Sequence, residues 1–140
     1  MDARCQCGSV AFKTPLPEPL ALYICHCAEC RRQTSSAFGT SAIFPRFKLP
    51  DSDLLSCYAR PTPSGQTLYC YFCRNCGTRL FHTTPAKNVV SVKGGCIEGL
   101  DWKRPSTSGP RAPWCPSRRA PRRTPRPVAA APITAPRKKY

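Results

Sequence analysis

The chain has 140 residues, the size of one domain, and a formal net charge of +15. No run of eighteen apolar residues occurs, which excludes a transmembrane helix at the level of sequence. The first residues lack the apolar core of a secretory signal, so we expect a cytoplasmic protein. In a reducing compartment, clustered cysteines bind metal more often than they form disulfides, and the odd count of eleven cysteines disfavours a fully paired disulfide framework.

The positive charge is concentrated near the C-terminal end. Residues 1–102 hold eleven Lys and Arg and all seven Asp and Glu, whereas residues 103–140 hold eleven Lys and Arg, no acid and nine of the seventeen prolines. This division predicts a folded domain over residues 1–102 and a disordered basic tail over residues 103–140. A domain of that size has a modest core, so bound metal is expected to contribute to folding. The tail also permits a nuclear location.

Short apolar segments follow one another along the first 102 residues. Alternation of apolar and polar residues at 9–13 predicts a half-buried strand, and three prolines then interrupt the pattern. Further strands are predicted at residues 20–24, 37–44, 54–58, 67–72, 79–82 and 89–93, and a helical turn or loop at 31–36. No segment keeps helical periodicity over eleven residues, so the pattern indicates an all-β sandwich or small open barrel.

Seven of the eleven cysteines form three clusters. We call them the N-terminal pair (Cys5 and Cys7), the triad (Cys25, Cys27 and Cys30) and the knuckle pair (Cys73 and Cys76, followed by Gly77). Thiolates one or two residues apart can bind one soft metal ion such as Zn²⁺. Seven thiolates are one short of two complete tetrahedral sites. The clusters therefore predict a closed structural zinc site and a second site with an open position.

The spacing leaves two pairings of the clusters open. The N-terminal pair can join the knuckle pair and leave the triad by itself, or two cysteines of the triad can join the knuckle pair. The first pairing keeps each cluster whole and is the more economical.

Several other side chains have a structural interpretation. His26 lies between two cysteines of the triad, so in an extended segment its ring points away from them and is expected to hydrogen-bond or face solvent. We expect His82 to be packed or hydrogen-bonded. Small buried positions are expected for Cys57, Cys70 and Cys96, and core packing for Phe38, Tyr69 and Tyr71.

Three motifs carry a family resemblance: CQCGSV at residues 5–10, CHCAECR at 25–31 and FCRNCGT at 72–78. Their order and spacing resemble the glutathione-dependent formaldehyde-activating enzyme family, which includes the centromere protein V branch, over roughly residues 4–102. The resemblance implies a zinc-stabilised β-tent fold of short antiparallel sheets, shared with a Rab-exchange accessory protein. It also implies two Zn²⁺ per chain, a structural zinc on Cys5, Cys7, Cys73 and Cys76 and a second, open zinc site on Cys25, Cys27 and Cys30.

The activity that the resemblance implies is that of a carbon–sulfur lyase. Its substrate would be glutathione or a related thiol–aldehyde adduct of the S-hydroxymethylglutathione type. Arg31 and Arg32 directly follow the triad and are the first candidates for binding this anion, with Arg79 a weaker one. A different class of function also fits the sequence: a non-catalytic zinc module whose basic tail contacts nucleic acid or an acidic partner. A role as a GTPase-exchange accessory protein rests on fold analogy alone.

The sequence departs from the family pattern at two places. Ser35 and Ser36 stand where the family often carries a small residue, commonly glycine. After Trp102, where the family continues into a further β segment, this chain continues into Ser, Pro and Arg residues that cannot build a strand.

Overall fold

The computed structural model describes residues 1–51 and 53–102. The elements in chain order are β1 (Asp2–Arg4), β2 (Ala11–Lys13), β3 (Ala21–Cys25), α1 (Ala28–Thr34), β4 (Gly39–Pro45), β5 (Leu55–Pro61), β6 (Thr67–Cys73), β7 (Arg79–Thr83) and β8 (Val89–Val92), followed by a 3₁₀ turn (Gly94–Cys96). The all-β prediction is confirmed. The predicted basic tail, residues 103–140, lies outside the described residues.

The strands form two antiparallel sheets. A large sheet has the order β3-β4-β8-β7-β6-β5, and β1 pairs with β2 in a small one. Strand β8 is inserted between β4 and β7, which brings the C-terminal part of the described chain to the centre of the large sheet. The short bridge between Ala3 and Ile97 joins β1 to the segment after β8.

The core lies against one face of the large sheet. Phe44, Phe81, Val90 and Val92 are completely buried there. Phe12 of β2 packs edge-on against Phe81, with ring centroids 5.5 Å apart, so the small sheet covers the core. Complete burial of one side chain of this kind contributes about 1.5–3 kcal/mol to folding.

Two elements differ from the sequence-based expectation. Strand β1 was not expected, because its three residues contain only one apolar side chain, Ala3, and it is held by pairing with β2. The helical turn predicted at residues 31–36 is a helix that begins at Ala28. Its first turn therefore lies inside the triad. Among the described residues, no helix is long and apolar enough to cross a bilayer.

The side-chain expectations are confirmed in part. Cys70 and Cys96 are buried, and Tyr71 stacks on Phe81 with ring centroids 5.0 Å apart. The expectation for Cys57 is wrong: it lies on β5, an edge strand, and is exposed. Core packing is also wrong for two aromatic residues, because Phe38 and Tyr69 are exposed.

Candidate metal centres and adjoining cavities

The N-terminal pair and the knuckle pair occupy two similar turns that face each other. The Gly8 N–H donates to the Cys5 carbonyl at 3.0 Å, and the Gly77 N–H donates to the Cys73 carbonyl at 2.8 Å. Both glycines have positive φ, 77° and 73°, a conformation that strongly favours glycine. The glycine after each pair thus allows the backbone to fold back beneath the sulfur atoms.

The four sulfur atoms of these turns form one compact group, in which all Sγ atoms lie within 4.8 Å of one another. The Cys5 and Cys7 Sγ atoms are 3.4 Å apart, and those of Cys7 and Cys73 are 3.8 Å apart. Tetrahedral zinc with Zn–S bonds of about 2.3 Å separates its sulfur ligands by about 3.8 Å. The group can therefore hold one metal ion with all four corners occupied.

Hydroxyl groups support thiolates in this four-cysteine group. The Ser9 hydroxyl, 3.3 Å from the Cys7 Sγ, lowers the pKa of Cys7 to about 5. The Thr78 hydroxyl, 3.1 Å from the Cys76 Sγ, lowers the pKa of Cys76 to about 7. Because the thiolate is the form that binds metal, these contacts favour metal binding near neutral pH.

The triad is a separate group, held by one continuous segment. Cys25 ends β3, Cys27 caps α1 and Cys30 lies in its first turn, where the Cys30 N–H donates to the Cys27 Sγ at 3.4 Å. The three Sγ atoms lie within 4.8 Å of one another. Gly39 on β4 pairs with Cys25, and a Cβ at Gly39 would lie 3.2 Å from the Cys30 Cβ. The glycine thus gives the helix room to pack on the sheet.

His26 lies outside the group of three sulfur atoms, as the sequence suggested. Its side chain is exposed, with Nδ1 3.3 Å from the Ala37 carbonyl oxygen and the ring near Phe38. The triad thus offers three sulfur ligands and no protein ligand for a fourth corner among the described residues. Burial, together with hydrogen bonding to the other two thiols, raises the pKa of Cys30 to about 12.

A cavity of about 310 Å³ opens beside the triad. We call it the cationic cavity, and it is lined in part by Cys30, Arg32, Arg60, Arg79 and Lys93. Arg32 is paired with Glu29 at 2.6 Å. The other three cations form no ion pair with a carboxylate of the described residues. The cavity therefore presents positive charge that an anionic ligand can neutralise.

The cations that line the cavity coincide only in part with the anion-binding candidates named from the sequence. Arg31 does not line the cavity, and Arg32 lines it but is already paired. Arg79, the weaker candidate, lines it, as do Arg60 and Lys93, which the sequence did not suggest. Arg60 and Lys93 are far from the triad in sequence, and only the strand order brings them together. In the sequence, Lys93 could have been noticed only as a charged residue that directly follows the apolar residues of β8.

Lys93 is unusual because only 6% of it is exposed. Burial lowers the pKa of Lys93, and burial also lowers the pKa of Arg79. Burying an unpaired cation is unfavourable, and a bound anion would remove most of that penalty.

A second cavity, of about 250 Å³, adjoins the first and shares Leu68 and His82 with it. We call it the hydroxyl cavity, because its other lining residues include Thr62, Ser64, Thr84 and Ser91. His82 therefore stands between the two cavities. Burial, with the nearby Lys93, Arg79 and Arg60 cations, lowers the pKa of His82 to about 3, so its ring is neutral.

In the described part of the chain, the buried side-chain nitrogen and oxygen atoms without a hydrogen-bond partner all lie in the walls of these cavities. They are Arg79 Nε, His82 Nδ1, Thr84 Oγ1 and Ser91 Oγ. Each belongs to a residue that lines one cavity or both. Of the two alternatives expected for His82, packed or hydrogen-bonded, the half-buried ring agrees with packing, and Nδ1 has no hydrogen-bond partner among the described residues.

Comparison with known proteins gives a family and a fold. The family model described as "Glutathione-dependent formaldehyde-activating enzyme" matches residues 1–115. Among solved structures, a crystal structure of a Rhodobacter sphaeroides protein matches with a TM-score of 0.56 and 22% identity, over 74% of this chain and 93% of that chain. At that identity the likeness concerns the fold alone. No curated protein matches this chain.

Proposed function

Since this chain belongs to the glutathione-dependent formaldehyde-activating enzyme family, we propose that it is a zinc-dependent carbon–sulfur lyase. Its substrate would be glutathione or a related thiol–aldehyde adduct of the S-hydroxymethylglutathione type. The observation that carries the proposal is the position of the triad, whose Cys30 lines a cavity with three cations that lack a carboxylate partner among the described residues.

The two cysteine groups are assigned different zinc ions. The sulfur distances support a structural zinc on Cys5, Cys7, Cys73 and Cys76. The triad, Cys25, Cys27 and Cys30, would hold the second. A zinc ion bound by three thiolates supplies an exchangeable fourth position that a substrate thiolate can take, and its net charge of about −1 favours reversible binding of a thiol.

The cations of the cavity have a clear part in this chemistry. Glutathione has two carboxylates, and charge-assisted hydrogen bonds from Arg79 and Lys93 would bind one of them. Because Cys30 lines the same cavity, a carboxylate bound there leaves the substrate sulfur within reach of the triad. Positive charge around the sulfur also lowers the pKa of a thiol and so favours the thiolate.

The proposed reaction makes or breaks one carbon–sulfur bond and moves one proton between sulfur and oxygen. In adduct formation the thiol loses its proton, its sulfur bonds to the aldehyde carbon as the C=O π bond opens, and the resulting oxygen takes up one proton. The reverse direction breaks the carbon–sulfur bond and releases the aldehyde and the thiol. His82 is a poor base with a pKa of about 3, so its part is to hydrogen-bond and not to carry the proton.

Native mass spectrometry, with and without glutathione, tests the zinc assignment and the labile site together. We expect two zinc ions in the wild-type chain, one in Cys30→Ser and two in Cys57→Ser, the matched control at an exposed cysteine outside both groups. Exchange of ¹³C-formaldehyde with glutathione, followed by NMR, should be accelerated by the wild type and the control only. Equal exchange rates with wild type and Cys30→Ser would contradict the proposal.

The alternative function rests on a different part of the chain. A zinc module that contacts nucleic acid or an acidic partner would use residues 103–140, which lie outside the described residues. That alternative and the domain boundary at residue 102 stay predictions. Salt-sensitive DNA binding that is lost on truncation after residue 102 would support the alternative.

A further inference from the structure

The hydroxyl cavity has an unusual wall. His82 Nδ1, Thr84 Oγ1 and Ser91 Oγ are buried and have no hydrogen-bond partner among the described residues. Buried polar atoms in folded proteins almost always have a partner, because an unpaired one loses its bonds to water without replacement. Three such atoms around one cavity indicate that something polar binds there.

The sheet explains why these groups share a wall. His82 of β7 pairs directly with Ser91 of β8, and neighbouring residues on adjacent strands project from the same face. Thr84 directly follows β7. The core residues Val90 and Val92, on either side of Ser91, project from the opposite face. The wall of the hydroxyl cavity and the core thus lie on opposite faces of the large sheet, because successive side chains of a strand alternate between the two faces.

The two adjoining cavities differ in charge. The cationic cavity has Arg60, Arg79 and Lys93 beside Cys30, whereas Lys87 is the one Lys or Arg among the lining residues of the hydroxyl cavity, and it is exposed. Neutral hydroxyl and imidazole groups can both donate and accept hydrogen bonds. They match the N–H and C=O groups of an amide better than they match a carboxylate.

We propose that the hydroxyl cavity is a second substrate subsite, which binds the amide groups of a peptide thiol whose sulfur lies at the triad. This inference rests on the proposed function, which places the substrate thiol at the triad. Leu68 and His82 line both cavities, so the two lie side by side, and an extended molecule bound at the triad would reach the second cavity past these side chains. The subsite would make the protein favour peptide thiols over short ones.

Calorimetric titration of the zinc-loaded full chain with glutathione and with 2-mercaptoethanol tests the subsite. We expect Ser91→Ala and Thr84→Val each to weaken glutathione binding by about 3- to 10-fold, the usual effect of losing one neutral hydrogen bond. Binding of 2-mercaptoethanol, which has no amide, should not change. Ser41→Ala is the matched control, because Ser41 lies on β4 and lines neither cavity.

The histidine ring signals in ¹⁵N NMR give a second readout, because the chain has only two histidines. Glutathione should shift the signals of both His82 and His26, the latter being next to the triad, while 2-mercaptoethanol should shift mainly His26. If neither Ser91→Ala nor Thr84→Val changed the affinity for glutathione, the subsite would be wrong. It would also be wrong if both variants lost as much affinity for 2-mercaptoethanol as for glutathione. Either result would leave the proposed function unaffected. A wild type that binds neither thiol would overturn both.

Discussion

The two cysteine groups use the same ligand atoms in opposite surroundings. The four-cysteine group joins turns that are 66 residues apart, and two of its members, Cys5 and Cys73, are buried in the core. The triad comes from a single segment of six residues, and Cys30 lines a cavity in which Arg60, Arg79 and Lys93 have no carboxylate partner among the described residues. A metal ion in the first group ties distant parts of the chain together, whereas one in the second ties nothing distant. Under the proposed function, the surroundings of the two groups, and not the type of ligand atom, separate the structural zinc from the reactive one.

The electrostatic surroundings differ in the same sense. Hydroxyl groups of Ser9 and Thr78 lower the thiol pKa values of Cys7 and Cys76 in the four-cysteine group. In the triad, burial raises the pKa of Cys30, and Arg60, Arg79 and Lys93 line the adjoining cavity. We therefore expect the stability of the protein and its ligand binding to respond differently to substitutions near the two cysteine groups.

The largest difference is expected for loss of one cysteine ligand. Cys73→Ser should prevent stable folding, because the binding free energy of a structural zinc is comparable to the whole stability of a small domain. Cys30→Ser should stay folded, with a melting temperature only a few degrees lower. Circular dichroism melts and zinc content measure both effects, and Cys57→Ser is the control. Equal melting temperatures for Cys73→Ser and Cys30→Ser would contradict the proposed difference between the two cysteine groups.

The next effect concerns the cationic cavity. Arg79→Gln should weaken glutathione binding about 10-fold or more, because a hydrogen-bonded charge pair contributes about 1.5–3 kcal/mol. Arg31→Gln is the matched control, since Arg31 does not line the cavity, and it should leave the affinity unchanged. Calorimetry at two salt concentrations measures both the affinity and its charge dependence. A larger loss of affinity in Arg31→Gln than in Arg79→Gln would contradict this assignment and would place the anion site at the residues that follow the triad.

A smaller effect is expected from His82 as the pH falls. Its pKa is about 3 in the folded chain and about 6.5 in an unfolded one, so the unfolded chain takes up the proton first. The stability of the wild type should therefore fall as the pH drops through about 6.5 towards about 3. Between pH 7.5 and pH 6.0, His82→Gln should lose less stability than the wild type, by less than about 1 kcal/mol.

Urea denaturation at the two pH values measures this difference. His26→Gln, at the exposed histidine, is the control and should follow the wild type. An equal loss of stability in wild type and His82→Gln would show that His82 is protonated as readily in the folded chain as in the unfolded one.

The smallest effect is expected at the end of α1. Ser35 has φ of 51°, and the Ser36 N–H donates to the Arg31 carbonyl at 3.3 Å, as in a helix end that usually has glycine at this position. Ser35→Gly should raise stability by up to about 1 kcal/mol, since glycine adopts positive φ without strain. Ser36→Gly, at a position without positive φ, should not. Chemical denaturation compares the two, and stabilisation by Ser36→Gly alone would contradict the explanation.

Sequence patterns predicted most of the strands and the three cysteine clusters, and the family resemblance implied how the clusters combine. Short apolar segments between turn residues located β3 to β8, and the spacing of the cysteines located the side chains that could hold metal. Strand β1 escaped prediction because its stability comes from pairing with β2, not from its own residues. Cys57 was misplaced because a local apolar pattern does not tell an edge strand such as β5 from a central one. The environment of a strand depends on its neighbours in the sheet.

The sequence by itself determined which side chains can bind metal, since short spacing forces the sulfur atoms of one cluster together. It also determined that the first 102 residues carry the apolar alternation of an antiparallel β protein. Only the tertiary structure decided which clusters meet, and that Arg60, Arg79, His82 and Lys93 surround the cavity beside Cys30. The physical reason is that strand order and register create contacts between residues far apart in the chain, and no local pattern records them.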